Sequence, residues 1–271
     1  MKNVILSFVL LMTISSFSYA QKSSKQLKKV LELAMPGEAG GLDGTRGANV
    51  AYNPFLKRYY AAFAGNVGYP LAVFDLKGKM LSESDLKTQA DIRGLWFNPV
   101  TKTLQGNCYS DGGWVNYSLD KNGIPDLPTS LLDETGMYQP DEQSVGTFDA
   151  KLKTVYFLSG NSVIAYNMKG LIGKAVQLNP LAALSEDAEP DELSSSYNNT
   201  TVIFTGIPKQ EFGIYNTDTR KIELYNRANG VYTNSWQLPE DAPNYSDFNL
   251  AFCNGLLWLF DQETRIWYAY K

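Results

Sequence analysis

Histidine does not occur anywhere in the 271 residues. Its absence excludes Ser-His-Asp and Cys-His catalytic machinery, and with it His-ligated zinc or copper. Any chemistry must run on carboxylates, tyrosine, lysine, serine or an oxygen-ligated cation. Cysteine is nearly as scarce, with Cys108 and Cys253 the only two. One disulfide in an oxidising compartment is open to them, and so are two buried thiols, because both lie in apolar strand-like runs. A clustered basic face is missing too. Lys and Arg number 24 against 28 Asp and Glu, a net charge of −4, and the cations stand scattered along the chain. Phosphate backbones need a concentrated positive surface, so nucleic acid is excluded as a partner.

Long apolar runs are confined to the start. MKNVILSFVLLMTISSFSYA, residues 1 to 20, has one Lys, a short apolar core interrupted by Thr and Ser, and Ser-Tyr-Ala before Gln21. It reads as a cleavable signal peptide, not as a transmembrane segment. Gln21, where a bacterial lipid anchor would need Cys, speaks against lipidation. The expectation is a signal peptide over 1–20 and a single domain over 21–271, exported to the periplasm or the medium.

What the chain has in quantity is repetition. Five segments align on an aromatic residue followed by Asn, Asp or Cys: VAYNPFLKRYYAAF, LWFNPVTKTLQGNCY, GTFDAKLKTVYFL, SSYNNTTVIF and LAFCNGLLWLF. The anchors are Tyr52, Phe97, Phe148, Tyr197 and Phe252, about 45 to 55 residues apart. Each is followed by turn residues and a second apolar run, which is a hairpin signature. A second aromatic column, Phe74, Tyr117, Tyr166, Tyr215 and Tyr270, follows the anchors about 18 to 22 residues on. Units of strand, turn, strand, loop, strand and turn at this period describe four-stranded blades.

This pattern resembles the β-propeller superfamily, and within it the YVTN and NHL type repeats of exported bacterial proteins. The resemblance implies an all-β fold, a single five-bladed propeller; it implies no activity, since no catalytic motif is shared and the Trp-Asp ending of WD40 repeats is absent. The fifth unit stops at Lys271 with only three strands, while KKVLELAM, residues 28 to 35, belongs to no unit. The expectation is that this N-terminal strand completes the last blade and removes an exposed sheet edge; a short external helix is the competing reading.

The loops leading into the five innermost strands read GTRGANVAY, TQADIRGLWF, QPDEQSVGTF, EPDELSSSY and NYSDFNLAF. Asp91, Asp141, Asp191 and Asp247 stand at corresponding places, with Arg46 there in the first unit. Glu142, Glu192 and Arg93 lie beside them. In a propeller these lead-in loops open on one face of the channel, which would bring several carboxylates and one or two Arg to its mouth. Three readings compete. Asp residues start strands by capping turn N–H groups. Alternatively they hold a polar ligand or a cation, Ca²⁺ being the expected ion and Asp141 with Asp191 its expected ligands. The third is acid–base cleavage of a glycoside by paired carboxylates. The loops between second and third strands add Tyr69, Asp111, Trp114, Asn161, Lys209 and Asp261 to the same face, with Trp114 either exposed as a flat platform or packed between blades.

The leading functional expectation is non-enzymatic: a module binding a small polar ligand, a glycan or a protein of the cell envelope on that face. A carboxylate-dependent hydrolase and a pocketless scaffold ring are the alternatives.

Overall fold

The computed structural model describes residues 24–38, 44–133, 136–182 and 192–271. The expected signal peptide and Asp191 lie outside the described residues. Two short strands come first, β1 (Lys25–Gln26) and β2 (Lys29–Ala34). The first blade is β3 (Arg46–Asn53), β4 (Arg58–Ala64) and β5 (Leu71–Phe74), with a bridge from Phe74 to Met80 in place of a full fourth strand. The second holds β6 (Ile92–Asn98), β7 (Thr103–Cys108), β8 (Trp114–Tyr117) and β9 (Thr129–Leu132). The third holds β10 (Thr147–Asp149), β11 (Thr154–Ser159), β12 (Ser162–Asn167) and β13 (Ile172–Gln177). The fourth holds β14 (Ile203–Phe204), β15 (Phe212–Asn216), β16 (Lys221–Tyr225) and β17 (Tyr232–Gln237). The fifth holds β18 (Leu250–Cys253), β19 (Leu256–Asp261) and β20 (Ile266–Tyr270).

The missing fourth strand of the last blade is β2, antiparallel to β20 as expected. The fold is an all-β, five-bladed propeller closed by its N-terminal strand. Just before β2, strand β1 pairs in parallel with the outer strand β17, so one N-terminal segment is stitched to two blades. Among the described residues no helix is long and apolar enough to cross a membrane.

Five buried clusters fill the five interfaces between neighbouring blades. The aromatic columns supply much of this packing. Tyr59, itself against Tyr52, meets Trp258 across the first and fifth blades, and Trp96 with Trp114 meets Phe148 and Phe157 across the second and third. Aromatic side chains suit these wedge-shaped gaps because each buries a large area with few rotatable bonds. The first-to-second-strand turns are set by Asx caps: Asn53 Oδ1 accepts the N–H of Phe55, Asn98 Oδ1 that of Val100, and Asp149 Oδ1 that of Lys151. The chain then passes through the left-handed region at Lys57, Lys102 and Lys153 before entering the second strand.

The fourth blade departs from the expected register by one strand. Tyr197 makes only an isolated bridge to Asn216, and the innermost strand is β14, so the true anchor is Phe204. The third strand then carries Tyr225, and KIELY is that third strand instead of the fourth. The Asn198-Asn199 pair looked like a hairpin turn but serves as a tie. Asn198 Oδ1 accepts the N–H of Thr201 at 3.1 Å, and its Nδ2 donates to the carbonyl of Phe248 at 2.9 Å. Tyr197 is buried, donating its phenol to Glu223 at 3.0 Å and accepting the N–H of Ala182 at 2.8 Å. By the same shift Lys209 lies in the first-to-second-strand turn, on the face opposite the one expected for it.

Candidate functional site: the lead-in loop face

The inner strands come close enough to block the axis partway. Asn49 Nδ2 donates to the carbonyl of Gly146 at 3.3 Å, joining the first and third blades. The Asn249 N–H reaches the carbonyl of Gly47, and Asn107 holds both the Gly146 N–H and the Ser144 carbonyl. Gly94 has no room for a side chain, since a β-carbon there would stand 2.6 Å from the Gly146 nitrogen. Such close approach of two backbones is what glycine permits. Each face of the ring therefore has its own recess instead of sharing an open channel.

On the lead-in side, Arg93 sits in a bulge of β6 between Ile92 and Gly94 and is almost fully buried. Its guanidinium pairs with the Asp91 carboxylate, donates to Gln143 Oε1 at 2.7 Å and lies 4.6 Å from the ring centroid of Tyr109. The Tyr109 phenol donates to Glu142 Oε2 at 2.6 Å. That hydrogen bond to a carboxylate pushes the phenol above its ordinary range, because ionising it would put two negative charges together. Asp91, Arg93 and Glu142 thus belong to one network tying the second and third blades. Tyr109 and Gln143 complete it, and sequence reasoning missed both. A recess of about 500 Å³ opens beside this network, lined by Asp91, Tyr109, Asp111, Thr129 and Ser130 among others.

Arg46 and Asp247 form a separate pair at 3.3 Å between the first and fifth blades, with the guanidinium over the Phe248 ring. Asp141 folds back on its own loop: Oδ1 accepts the N–H of Gln143 at 2.9 Å, and its own N–H reaches Ser144 Oγ at 3.0 Å. This is the strand-starting cap that a short acidic residue makes in a turn.

Asp141 nonetheless lines a second recess, of about 440 Å³, that the third and fourth lead-in loops share. Its walls carry Gln143, Ser144, Ser159, Glu192, Asn199 and Thr200, with Leu158 and Leu193 as apolar contact. The two Pro-Asp-Glu stretches are not equivalent in register, because the fourth innermost strand starts later. Glu192, the described residue of the second stretch, lines the same recess as Asp141.

Two expected members stand elsewhere. Trp114 is buried, edge-on to Trp96 with ring centroids 5.5 Å apart. The glycines before it serve the backbone: a β-carbon on Gly113 would stand 2.1 Å from the Leu132 carbonyl, so this turn lets β9 approach β8 and does not lift an indole into solvent. Tyr69 is half-buried against the cluster between the first and fifth blades. Among the described residues no group of three or more carboxylates or thiols could hold a metal ion. No disulfide joins Cys108 to Cys253; Cys108 lies in the second blade and Cys253 in the fifth.

No family model and no curated protein sequence matches the chain. Solved structures do. Glutaminyl cyclase of Myxococcus xanthus superposes with a TM-score of 0.56 over 92% of this chain and 97% of that one, at 10% identity. The virginiamycin B lyase of Staphylococcus aureus gives 0.39 over 86% of this chain and 67% of that one, at 13% identity. A streptogramin B lyase gives 0.39 over 86% and 65%, at 10% identity. The likeness to the cyclase is one of fold.

Proposed function

We propose that the protein is an exported binding module that takes a small polar ligand, a saccharide above all, in the recess shared by the third and fourth lead-in loops. The observation that carries this reading is the composition of that recess. Two carboxylates, two amides and three hydroxyls stand around about 440 Å³, with leucine as a floor for an apolar ring face. Dense mixed donors and acceptors at that size suit one or two sugar rings better than a drug-like apolar molecule. Carboxylates on two facing loops add a preference for a ligand that carries an amine.

Acid–base catalysis is the weaker reading. Asp91 and Asp247 are each paired with an arginine, Glu142 is bound by a phenol, and Asp141 caps its own turn. A glycoside mechanism needs an acid and a carboxylate facing each other across the bond to be cleaved, and of the two that line the shared recess, Asp141 and Glu192, the first is engaged by its own turn. The named fold neighbours are enzymes, but at their level of identity that likeness carries no chemistry.

Calorimetric titration with glucosamine and N-acetylglucosamine oligomers tests the reading. Binding of the amino-sugar series that is lost in Ser159→Trp, a substitution that fills the recess, supports it. No heat with either series, or equal heat in the variant, contradicts it.

A further inference from the structure

The face away from the lead-in loops carries a pattern of its own. In four of the five first-to-second-strand turns an exposed apolar side chain comes one or two residues before a lysine. The pairs are Phe55 with Lys57, Val100 with Lys102, Leu152 with Lys153, and Ile207 with Lys209. Phe55 and Val100 are the most open of the four, 58% and 64% exposed. An isolated exposed leucine on a protein surface means nothing. The same placement in four blades is a different matter.

The backbone fixes these lysines in place. Lys57, Lys102, Lys153 and Lys209 all have positive φ, between 54° and 65°, where glycine or asparagine is the undemanding choice. The fifth blade uses Asn254 and Gly255 at this point. The turns also surround one opening. A cavity of about 270 Å³ is lined by inner-strand residues of all five blades, including Tyr52, Phe97, Phe148, Phe204 and Phe252, and by Ala150, Gly206 and Asn254 from the turns. Phe55 and Lys102, from adjacent blades, lie 5.4 Å apart, centroid to ammonium. The tips therefore form a ring.

The charge of these innermost turns is one-sided; the third-to-fourth-strand turns further out on the same face are mixed, with Asp75 beside Lys77 and Lys79 and Asp120 beside Lys121. Lys151 adds a further cation, while the acid in the same turn, Asp149, is buried and paired with Arg227. The opposite face holds Asp91, Asp141, Glu142 and Asp247 against Arg46 and Arg93, and the whole chain is net negative at −4. A basic, apolar-tipped ring on an acidic protein is a local specialisation.

We infer that this face seats on an anionic phospholipid surface, with the apolar tips at the boundary of headgroups and acyl chains and the lysines at the phosphates. Apolar insertion together with attraction to anionic lipid is how interfacial proteins bind membranes. A protein partner fits less well. Interface centres favour arginine and a continuous packed core, whereas here the exposed cations are lysines and the tips are separate wedges around an opening. Lysine is a hydrated point charge on a flexible stem, suited to mobile phosphates. Seated this way, the ring would leave the lead-in loops facing solvent, and the inference does not depend on what those loops bind.

The test is vesicle co-sedimentation with the chain from Gln21, which keeps every described strand and removes the apolar leader as a source of lipid affinity. Vesicles of phosphatidylcholine alone are compared with vesicles of equal parts phosphatidylcholine and phosphatidylglycerol. The expected result is partition into the anionic vesicles only, weakened about tenfold or more by Lys57→Glu with Lys102→Glu, since each lysine at the surface contributes separately. Phe55→Ser with Val100→Ser should weaken it to a similar degree while keeping a single cooperative melt, with only a small fall in melting temperature from the lost edge contact of Phe55 with Phe97. Lys57→Gln with Lys102→Gln gives a second, milder charge variant should the glutamates disturb the turns. Absence of sedimentation, equal partition into both vesicles, or full binding by either tip variant overturns the inference. Binding to polyglutamate without binding to vesicles also overturns it, and makes the ring a site for an acidic protein.

Discussion

Leu33 stands opposite Trp267 in the antiparallel ladder that joins the N-terminal segment to the last strand, and both side chains are fully buried. The pair sits in the cluster between the fifth and first blades, so it fastens the ring as well as the sheet. Leu33→Ala should cost about 2–5 kcal/mol by urea unfolding, the usual cost of a buried leucine. Deleting residues 22–35 should do more. It bares the edge of β20, and aggregation or loss of a single cooperative transition is the expected outcome. Unchanged melting of the truncated chain would contradict ring closure.

Asp149 and Arg227 form a second inter-blade fastening, 2.9 Å apart, in which the carboxylate is buried and the guanidinium about one-third exposed. The Glu211 carboxylate accepts the backbone N–H of Arg227 alongside. Arg227→Ala leaves a buried carboxylate without its cation and should destabilise by about 1–3 kcal/mol, with Asp149→Asn milder because the amide still caps the turn. Equal costs for the two variants in chemical denaturation would show that the ion pair does not matter.

Alkaline pH should unfold the protein. Burial pushes the phenols of Tyr60, Tyr197 and Tyr215 up to about 12. In the unfolded chain a phenol ionises near about 10, so the folded state holds these protons more tightly. Their contribution is therefore complete below about pH 10 and is lost as pH rises from there towards 12. Phenolate absorbance followed together with circular dichroism should show exposed tyrosines titrating first and the buried group only as the fold is lost. Titration of all tyrosines in one early step would contradict the burial.

Gly94→Ala should force the second and third inner strands apart, because the new β-carbon meets the Gly146 backbone of the next blade as well as the Asn107 amide oxygen that holds it. A loss of about 2–3 kcal/mol is expected, as for an overpacked core position. The substitution should also loosen the Arg93–Gln143 contact next to it. An unaltered melt would mean the strands are not packed as described.

Fold was legible in the sequence where the local signal was also the structural part. Tyr52, Phe97, Phe148 and Phe252 fall on innermost strands because hairpin turn and aromatic alternate there without competition. Tyr197 misled because Asn198-Asn199 has turn chemistry, yet its hydrogen bonds run to a loop of another blade, which no local pattern records. Trp114 stayed open between exposure and burial for a related reason. A glycine pair signals an unusual backbone, and whether it serves exposure or close packing depends on a strand that comes later in the chain. That Asp91, Arg93, Asp141, Glu142 and Asp247 stand at the lead-in loops could be read from the repeats. Their partners could not, because Tyr109 reaches Glu142 and Arg93 reaches Gln143 across a blade boundary.

The most direct measurement of the ligand site is amide chemical-shift mapping on the labelled chain during titration with a glucosamine oligomer. A site in the shared recess requires saturable shifts at Asp141 to Ser144, Ser159, Gly160 and Asn199 to Thr200, with the lysine-bearing turns unmoved. Shifts confined to those turns, or none at millimolar ligand, would contradict it.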